Sequence, residues 1–391
     1  MKRRLVGAAA AVAVLLSAAG CGSLSMAAPA QRRVVIGADL SLSGPDSDAG
    51  AVLRDALQLR VKELNEQGAI TNGKLVLTIR DNRSDAGTSA ENIKAFQRDS
   101  DTTAAVTGPC DACLTRTAPL VAAGQLPVIS LAAADLPDGT AGAGSPLFKL
   151  APNPADDATT LVDLLVSRHA KHVAVVTDLG PYGQATAAAL GRAAASRKLD
   201  LADPVAASGS VDSITQKLLY QNIQQSDGTV REPDAVVVVA GPDRAPQLVA
   251  GLRAEKYRKT VALSAMAADR LFLRDAKLDG CYLDFPPILA MDDQVASTPE
   301  KAAQKQWFDD YTSAYGGYRA TSGFAADALQ IIAAAVNDGG TDPAKLRAAI
   351  ETTQLDALSG PVRFTPDNHS GLTPQSLDVL QAANSRWHLA G

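Results

Sequence analysis

The feature that most constrains this chain is a rhythm in which short, wholly apolar runs alternate with segments of helical periodicity. Val34-Val35-Ile36-Gly37-Ala38 is such a run, ending in the turn-rich Ser41-Leu42-Ser43-Gly44-Pro45, as a parallel strand covered on both faces does when it reaches its loop. From Ala49 to Glu66 the apolar positions Val52, Leu53, Ala56, Leu57, Val61 and Leu64 keep helical spacing, and Gly68 supplies a stop. A strand at Leu75, Leu77 and Ile79 follows. The spacing then predicts helix 89–98, strand 104–107, helix 114–123 and strand 127–130. After an interruption rich in Gly, Pro and Ala, Leu136 to Pro146, the rhythm restarts with strand 173–177, helices 182–196 and 214–225, strand 235–239, helix 245–254, and strands 261–264 and 281–285. Strands alternating with helices build βαβ units, hence parallel sheets with helices on both faces.

A chain of 391 residues is too long for one ordinary domain, so two lobes are expected. Three helical segments without a clear strand between them, 299–315, 322–337 and 343–352, come next and suggest a return to the first lobe. Asp342-Pro343 opens the last of them well, since aspartate accepts from free first-turn amides and proline has no amide to leave unpaired. Short strands near Val362 to Phe364, Leu377 to Leu380 and Trp387 to Leu389 close the chain. The division expected is 34–150 with 288–358 for lobe 1, and 151–287 with 359–391 for lobe 2.

Lys2, Arg3 and Arg4 precede an apolar run, Leu5 to Ala19, too short for a membrane span, so residues 1–20 read as a secretion signal. Ser17-Ala18-Ala19-Gly20-Cys21 resembles the lipobox of bacterial lipoproteins, with Ala18 where leucine is usual. On that resemblance Cys21 becomes a lipidated N-terminus and 21–33 a disordered tether; the other reading is ordinary cleavage near Ala28. Loss of three cations and no anions would take the formal charge from −5 to −8. An acidic chain has no excess of cations to displace phosphate counterions, so nucleic acid is not an expected partner. Four cysteines are too few to staple a chain of this length.

Several segments, in order, resemble the type 1 periplasmic binding-protein family, specifically solute-binding lipoproteins of branched-chain amino-acid ABC transporters. Val35 to Pro45 is similar to the family's opening strand and "PLSG" loop, and Leu64-Asn65-Glu66-Gln67-Gly68-Ala69-Ile70 to its "INAxGGI". Arg80-Asp81-Asn82-Arg83-Ser84-Asp85 resembles the "DDxxD" turn, and Val106 to Pro109 and Pro127 to Ser130 the next two strand ends. Leu147 to Pro152 resembles the "FRTAP" crossover, Tyr182-Gly183 the "YG" dipeptide, and Gly360 to Phe364 with Asp367 the "GxxxFDxxG" signature. The resemblance implies an α/β protein of two Rossmann-like lobes joined by three crossovers. It also implies a non-enzymatic, extracytoplasmic monomer without cofactor or metal, whose lobes close on a small solute and deliver it to a permease. A ligand-sensing module of the same fold, signalling to a membrane receptor, is the alternative. Ligands of open α/β sheets sit beyond the carboxyl ends of the strands, here Leu42 to Pro45, Gly108 to Ala112, Ser130 to Ala134, Asp178 to Tyr182 and Ala240 to Asp243.

Carried over position by position, the family's first-lobe serine falls near Ala112, its threonine near Ala134, an early aromatic contact near Ala49 and the acidic partner near Ala265 or Met266, with Ser43, Ala132 and Tyr182 as further expected ligand contacts. Ala112 and Ala134 stand where serine and threonine hold a ligand carboxylate, and Ala265 or Met266 where an acidic residue holds the ammonium, so a leucine-type zwitterion lacks its expected partners. Each unmet charged contact costs about 1.5–3 kcal/mol. Asp111 and Asp243 are candidate replacements for the ammonium partner, or else caps of the helices that follow. Cys110-Asp111-Ala112-Cys113 is either a structural disulfide shaping the binding loop or a thiol redox site. Cys281 reads as a buried free thiol, and His169 and His172 as surface residues rather than a metal site. Asn82-Arg83-Ser84 is a glycosylation tripeptide by pattern only.

Overall fold

The computed structural model describes residues 32–221, 232–270 and 278–390. The secretion signal, Cys21 with most of its tether, and the end of the helix expected over 214–225 lie outside the described residues.

Two sheets carry the fold. The first holds strands β1 (Arg32–Leu40), β2 (Gly73–Asp81), β3 (Thr102–Gly108), β4 (Val128–Ser130) and β5 (Leu147–Lys149) in the order β2-β1-β3-β4-β5, all parallel. Helices α1 (Ser47–Glu66), α2 (Ala86–Arg98) and α3 (Asp111–Ala122) connect them. The second sheet holds β6 (His172–Thr177), β7 (Asp200–Leu201), β8 (Val205–Ala206), β9 (Ala235–Val239), β10 (Thr260–Leu263) and β11 (Tyr282–Phe285). Around them lie α4 (Pro154–Ser167), α5 (Pro181–Ser196), α6 (Val211–Gln216) and α7 (Ala245–Ala254). β9, Ala-Val-Val-Val-Val, is buried at every position, as a strand covered on both faces must be.

Two departures concern the first lobe. Arg32 and Arg33, expected in the disordered tether, already pair with Gly73 and Lys74 in the sheet. Residues 147–149, read as the start of a crossover, form the edge strand β5; three residues before a proline carry no detectable period.

Helices α8 (Pro299–Tyr315), α9 (Ser322–Gly339) and α10 (Pro343–Glu351) return to the first lobe. Arg60 Nη2 donates to Gln330 Oε1 at 2.7 Å, Asn337 Nδ2 to the Ala69 carbonyl at 2.7 Å, and the Tyr315 hydroxyl to the Asp55 carbonyl at 2.8 Å. α10 starts as its sequence predicts, with Asp342 accepting from the Lys345 amide and Pro343 at its first position. The hairpin β12 (Gln354–Ala357) and β13 (Gly360–Arg363) is pinned by buried Asp327, which accepts from the Leu358 and Ser359 amides and the Ser359 hydroxyl. The chain expected to change lobes at 359 stays with the first: Phe364 packs edge-on against Phe148, ring centroids 5.2 Å apart. It joins the second sheet at β14 (Asp378–Ala383), antiparallel to β11, followed by β15 (Arg386–Leu389).

Three segments therefore cross between the sheets: from β5 to α4, from β11 to α8, and from β13 to β14. The first and third are hydrogen-bonded side by side. The Lys149 amide donates to the His369 carbonyl at 2.8 Å, and the Gly371 amide to the Lys149 carbonyl at 3.0 Å. The His369 ring stacks on Phe148 at 4.3 Å. The Lys149 side chain is fully buried here, its Nζ donating to the Pro152 carbonyl and Asn153 Oδ1, both at 3.1 Å.

Candidate functional site

A cavity of about 500 Å³ lies where the carboxyl ends of both sheets face each other. The first lobe contributes the start of α1, the β3–α3 loop and the segment after β4. The second contributes the loops after β6, β9 and β10, and the β5–α4 crossover forms part of the wall. Two close approaches bring helices to it. A Cβ on Gly50 would fall 1.8 Å from the Ser41 carbonyl oxygen, and one on Gly183 would fall 2.5 Å from that of Asp178, so only glycine lets the first turns of α1 and α5 seat against the strand ends. The latter accounts physically for the Tyr182-Gly183 pair.

The first-lobe loop is held by Asp81, whose carboxylate accepts from the amides of Leu42, Ser43 and Arg83 and from the Ser43 hydroxyl at 2.7 Å. Desolvation is the largest single influence on its pKa and raises it, but these bonds together outweigh it and hold the pKa below the ordinary carboxylate value. Ser43 is thus turned to Asp81 and is not among the cavity-lining residues, contrary to expectation. Asn82 is fully buried and donates to Asp39, which leaves its glycosylation tripeptide no accessible amide.

Asp111 and Ala112 line the cavity. Asp111 does not cap its helix; that place is held by Cys110, whose sulfur accepts from the Cys113 amide. Its Oδ1 instead accepts from the Ala134 amide at 2.9 Å, joining the start of α3 to the segment after β4. Burial pushes the Asp111 carboxyl up to about 6, opposed by that amide and by the nearby Lys149 charge. Ala132 and Ala134, also expected at the ligand, are buried behind the wall rather than in it. Cys110 and Cys113 are disulfide-bonded, with Cys110 in the wall. Cys281 is a buried free thiol, pushed up to about 11 by burial.

In the second lobe Tyr182, Asp243 and Ala265 line the cavity. The Tyr182 ring is fully buried, and its hydroxyl donates to the Asp157 carboxylate, so that hydroxyl is already spent. Asp157 also accepts from the Ala265 amide at 3.3 Å. Behind it lies a second buried carboxyl, Asp284; desolvation, then the charge of Asp157, raises its pKa well above the ordinary carboxylate value. Asp243 is exposed and does not cap α7, which begins after Arg244 without a side-chain cap.

Reading the strand ends alone misses several wall residues. Asp46 and Asp48 stand just beyond the opening loop; Asp269 follows β10; Phe285 ends β11; Arg319 and Phe324 come from the helical block. The signal available for Asp46 and Asp48 was their place in the turn that starts α1. Arg319 and Phe324 had none, because only the return of the chain brings them here. Among the described residues no group of His, Cys, Asp and Glu could hold a metal ion, and His172 pairs with Asp200 at 2.7 Å. No described helix is long and apolar enough to cross a membrane.

Residues 33–385 match a family model described as periplasmic binding protein. No curated protein matches the chain. Among solved structures it is similar to an extracellular ligand-binding receptor from Rhodopseudomonas palustris HaA2, with 19% identity, 91% of this chain and 99% of that one covered, and a TM-score of 0.78. A leucine binding protein, LivK, from Thermotoga maritima has 16% identity over 92% of this chain and 98% of its own, with a TM-score of 0.74. A branched-chain amino acid transporter substrate binding protein, LivJ, from Streptococcus pneumoniae in complex with isoleucine has 17% identity over 92% and 99%, with a TM-score of 0.71. At these identities the likeness is one of fold.

Proposed function

Since the chain belongs to the periplasmic binding protein family, whose members bind solutes outside the cytoplasm and are not enzymes, we propose that it is the solute-binding lipoprotein of an ABC importer. On this reading it is anchored outside the cell membrane through Cys21, takes an amino acid or similar small organic solute between its lobes, and presents the closed form to a permease. The observation that carries the reading is the 500 Å³ cavity built from the strand ends of both lobes with a crossover in its wall. A ligand touching both lobes favours whichever lobe arrangement lets it do so, and this differential affinity is what closes a two-lobed binder.

Thermal unfolding of the purified protein against a panel of amino acids, amides, amines and carboxylates tests the reading. A true cleft ligand at one hundred times its Kd stabilises by about 2.7 kcal/mol and reduces the radius of gyration in solution scattering. A stabilising compound that leaves the scattering unchanged would count against closure. For the anchor, Cys21→Ala should move the protein from the membrane fraction to the soluble fraction; retention on the membrane would refute lipidation there.

A further inference from the structure

The lobes are joined by more than the three crossovers. Asp269, in the loop that follows β10, belongs to the second lobe; Arg319, between α8 and α9, belongs to the first. Arg319 Nη2 pairs with Asp269 Oδ1 at 2.6 Å. The Ala320 amide donates to the Asp269 carbonyl, also at 2.6 Å, and Arg270 and Arg319 form an antiparallel bridge. Both residues of the ion pair line the cavity, so this link spans the space that closure would narrow.

Each end of the link is fixed to its own lobe. The Arg319 carbonyl accepts from the Ser322 amide at 3.1 Å and from the Ser322 hydroxyl at 2.7 Å, which ties it to the first turn of α9. The neighbouring Tyr318 ring is buried against Phe308 and Tyr311 of α8, with centroids 4.7 and 5.9 Å away. On the other side the Ala267 and Ala268 amides donate to the Ser264 and Ala265 carbonyls, a tight turn set on the end of β10, and the Ala265 amide is held by Asp157. A motion that parts the strand-end faces therefore draws Arg319 from Asp269 rather than carrying a loose loop along.

The pair is more than an open surface contact. Its side chains are 19% and 30% exposed, and Arg319 Nε is buried without a partner. That N–H has given up water, so the guanidinium depends on Asp269, its one ion pair among the described residues. Asp269 has a second, with Arg270 Nε at 3.2 Å, inside its own lobe. Salt screens such a pair less than it screens exposed charges. We propose that Arg319 and Asp269 form a latch that holds the lobes together before any solute arrives; its purpose rests on the solute-binding reading, while the latch itself is a property of the free protein. The apparent affinity of a two-state binder is reduced by the fraction of molecules outside the competent arrangement. A latch raises the competent fraction in advance, so less of the solute's contact energy goes into closing the lobes.

Small-angle scattering of the purified protein, with no solute added, tests the latch. Asp269→Asn, which removes the charge and keeps the shape, and Arg319→Gln should each increase the radius of gyration at unchanged mass. Arg319→Lys, which keeps the charge, should stay close to the native value. Near-ultraviolet circular dichroism separates opening from loss of packing, because Trp307 and Tyr311 lie 5.8 Å apart in the aromatic cluster beside Arg319, and that signal should be the same in all four proteins. A native radius in both neutral variants would overturn the latch. So would an increase that comes with loss of the aromatic signal, or one shared in full by Arg319→Lys. None of these outcomes bears on the solute-binding reading, which is judged by the response of the native chain to added solutes.

Discussion

The hydroxyl of Tyr182 donates to the carboxylate of Asp157, both groups fully buried directly beneath the cavity wall. A residue that the sequence marks as a ligand contact thus directs its polar end away from any ligand and toward the framework of its own lobe. Removing that hydroxyl should act on stability rather than on affinity.

Tyr182→Phe is expected to lower unfolding free energy by about 2 kcal/mol, the scale of a hydrogen bond to a charged group. The ring stays in the wall, so the affinity for any cleft ligand should change less than twofold. Urea unfolding and calorimetry on the same preparation check both parts. Unchanged stability with a large affinity loss would mean that the hydroxyl reaches the ligand.

Burial lowers the Lys149 ammonium to about 8 from its ordinary 10.5, with Asp135, Asp111 and Asp156 opposing the shift. Between those pH values the unfolded chain binds more protons than the folded one, so this group makes stability rise with pH from about 8 to about 10.5. The full shift corresponds to about 3 kcal/mol. Comparing urea midpoints of the native chain and Lys149→Met at pH 7.5 and 9.5 isolates it, because other titrating groups are common to both. The native chain should lose ground to the variant at pH 7.5 and recover it at 9.5; a gap independent of pH would contradict the shift.

The disulfide between Cys110 and Cys113 closes a short loop, a separation of three residues. Chain entropy alone assigns such a loop about 2 kcal/mol. The paired substitution Cys110→Ser with Cys113→Ser should therefore leave a folded protein with a modestly lower melting temperature. Since Cys110 and Ala112 are in the wall, the larger effect should fall on ligand affinity. Loss of folding altogether would show that the bond does more than shape this loop.

Cys281 should resist thiol reagents while the protein is folded, since it is buried and its thiol is pushed up to about 11. Labelling at pH 8 of the oxidised protein should appear only on addition of denaturant. Rapid reaction under native conditions would place the strand edge at Tyr282 in a looser state than the structure has it.

Much of the fold was legible because its signals are local. The valine run of β9 and the helical spacing of α8 are such signals, and in the structure α8 is bounded by the Thr298 cap and by Gly316. β5 was not legible, since three residues cannot display a period, nor were the two-residue strands β7 and β8. The cavity was legible only where a loop directly follows a strand, as at Asp111, Tyr182 and Asp243. A position in such a loop does not determine which way a side chain turns, and Ser43 is claimed by Asp81, nearly forty residues on. Arg319 and Phe324 enter the wall by tertiary return, which no window of sequence displays.

The pairing of Lys149 with His369 and Gly371 makes two of the three connections a single plate. Two separate ribbons could slide past one another and let the lobes shear or twist. Ribbons bonded edge to edge bend together, about an axis lying across them, and resist the other modes. In the closure proposed above, solutes of different length would each be met at a different bend of that plate rather than by independent adjustment of the two walls.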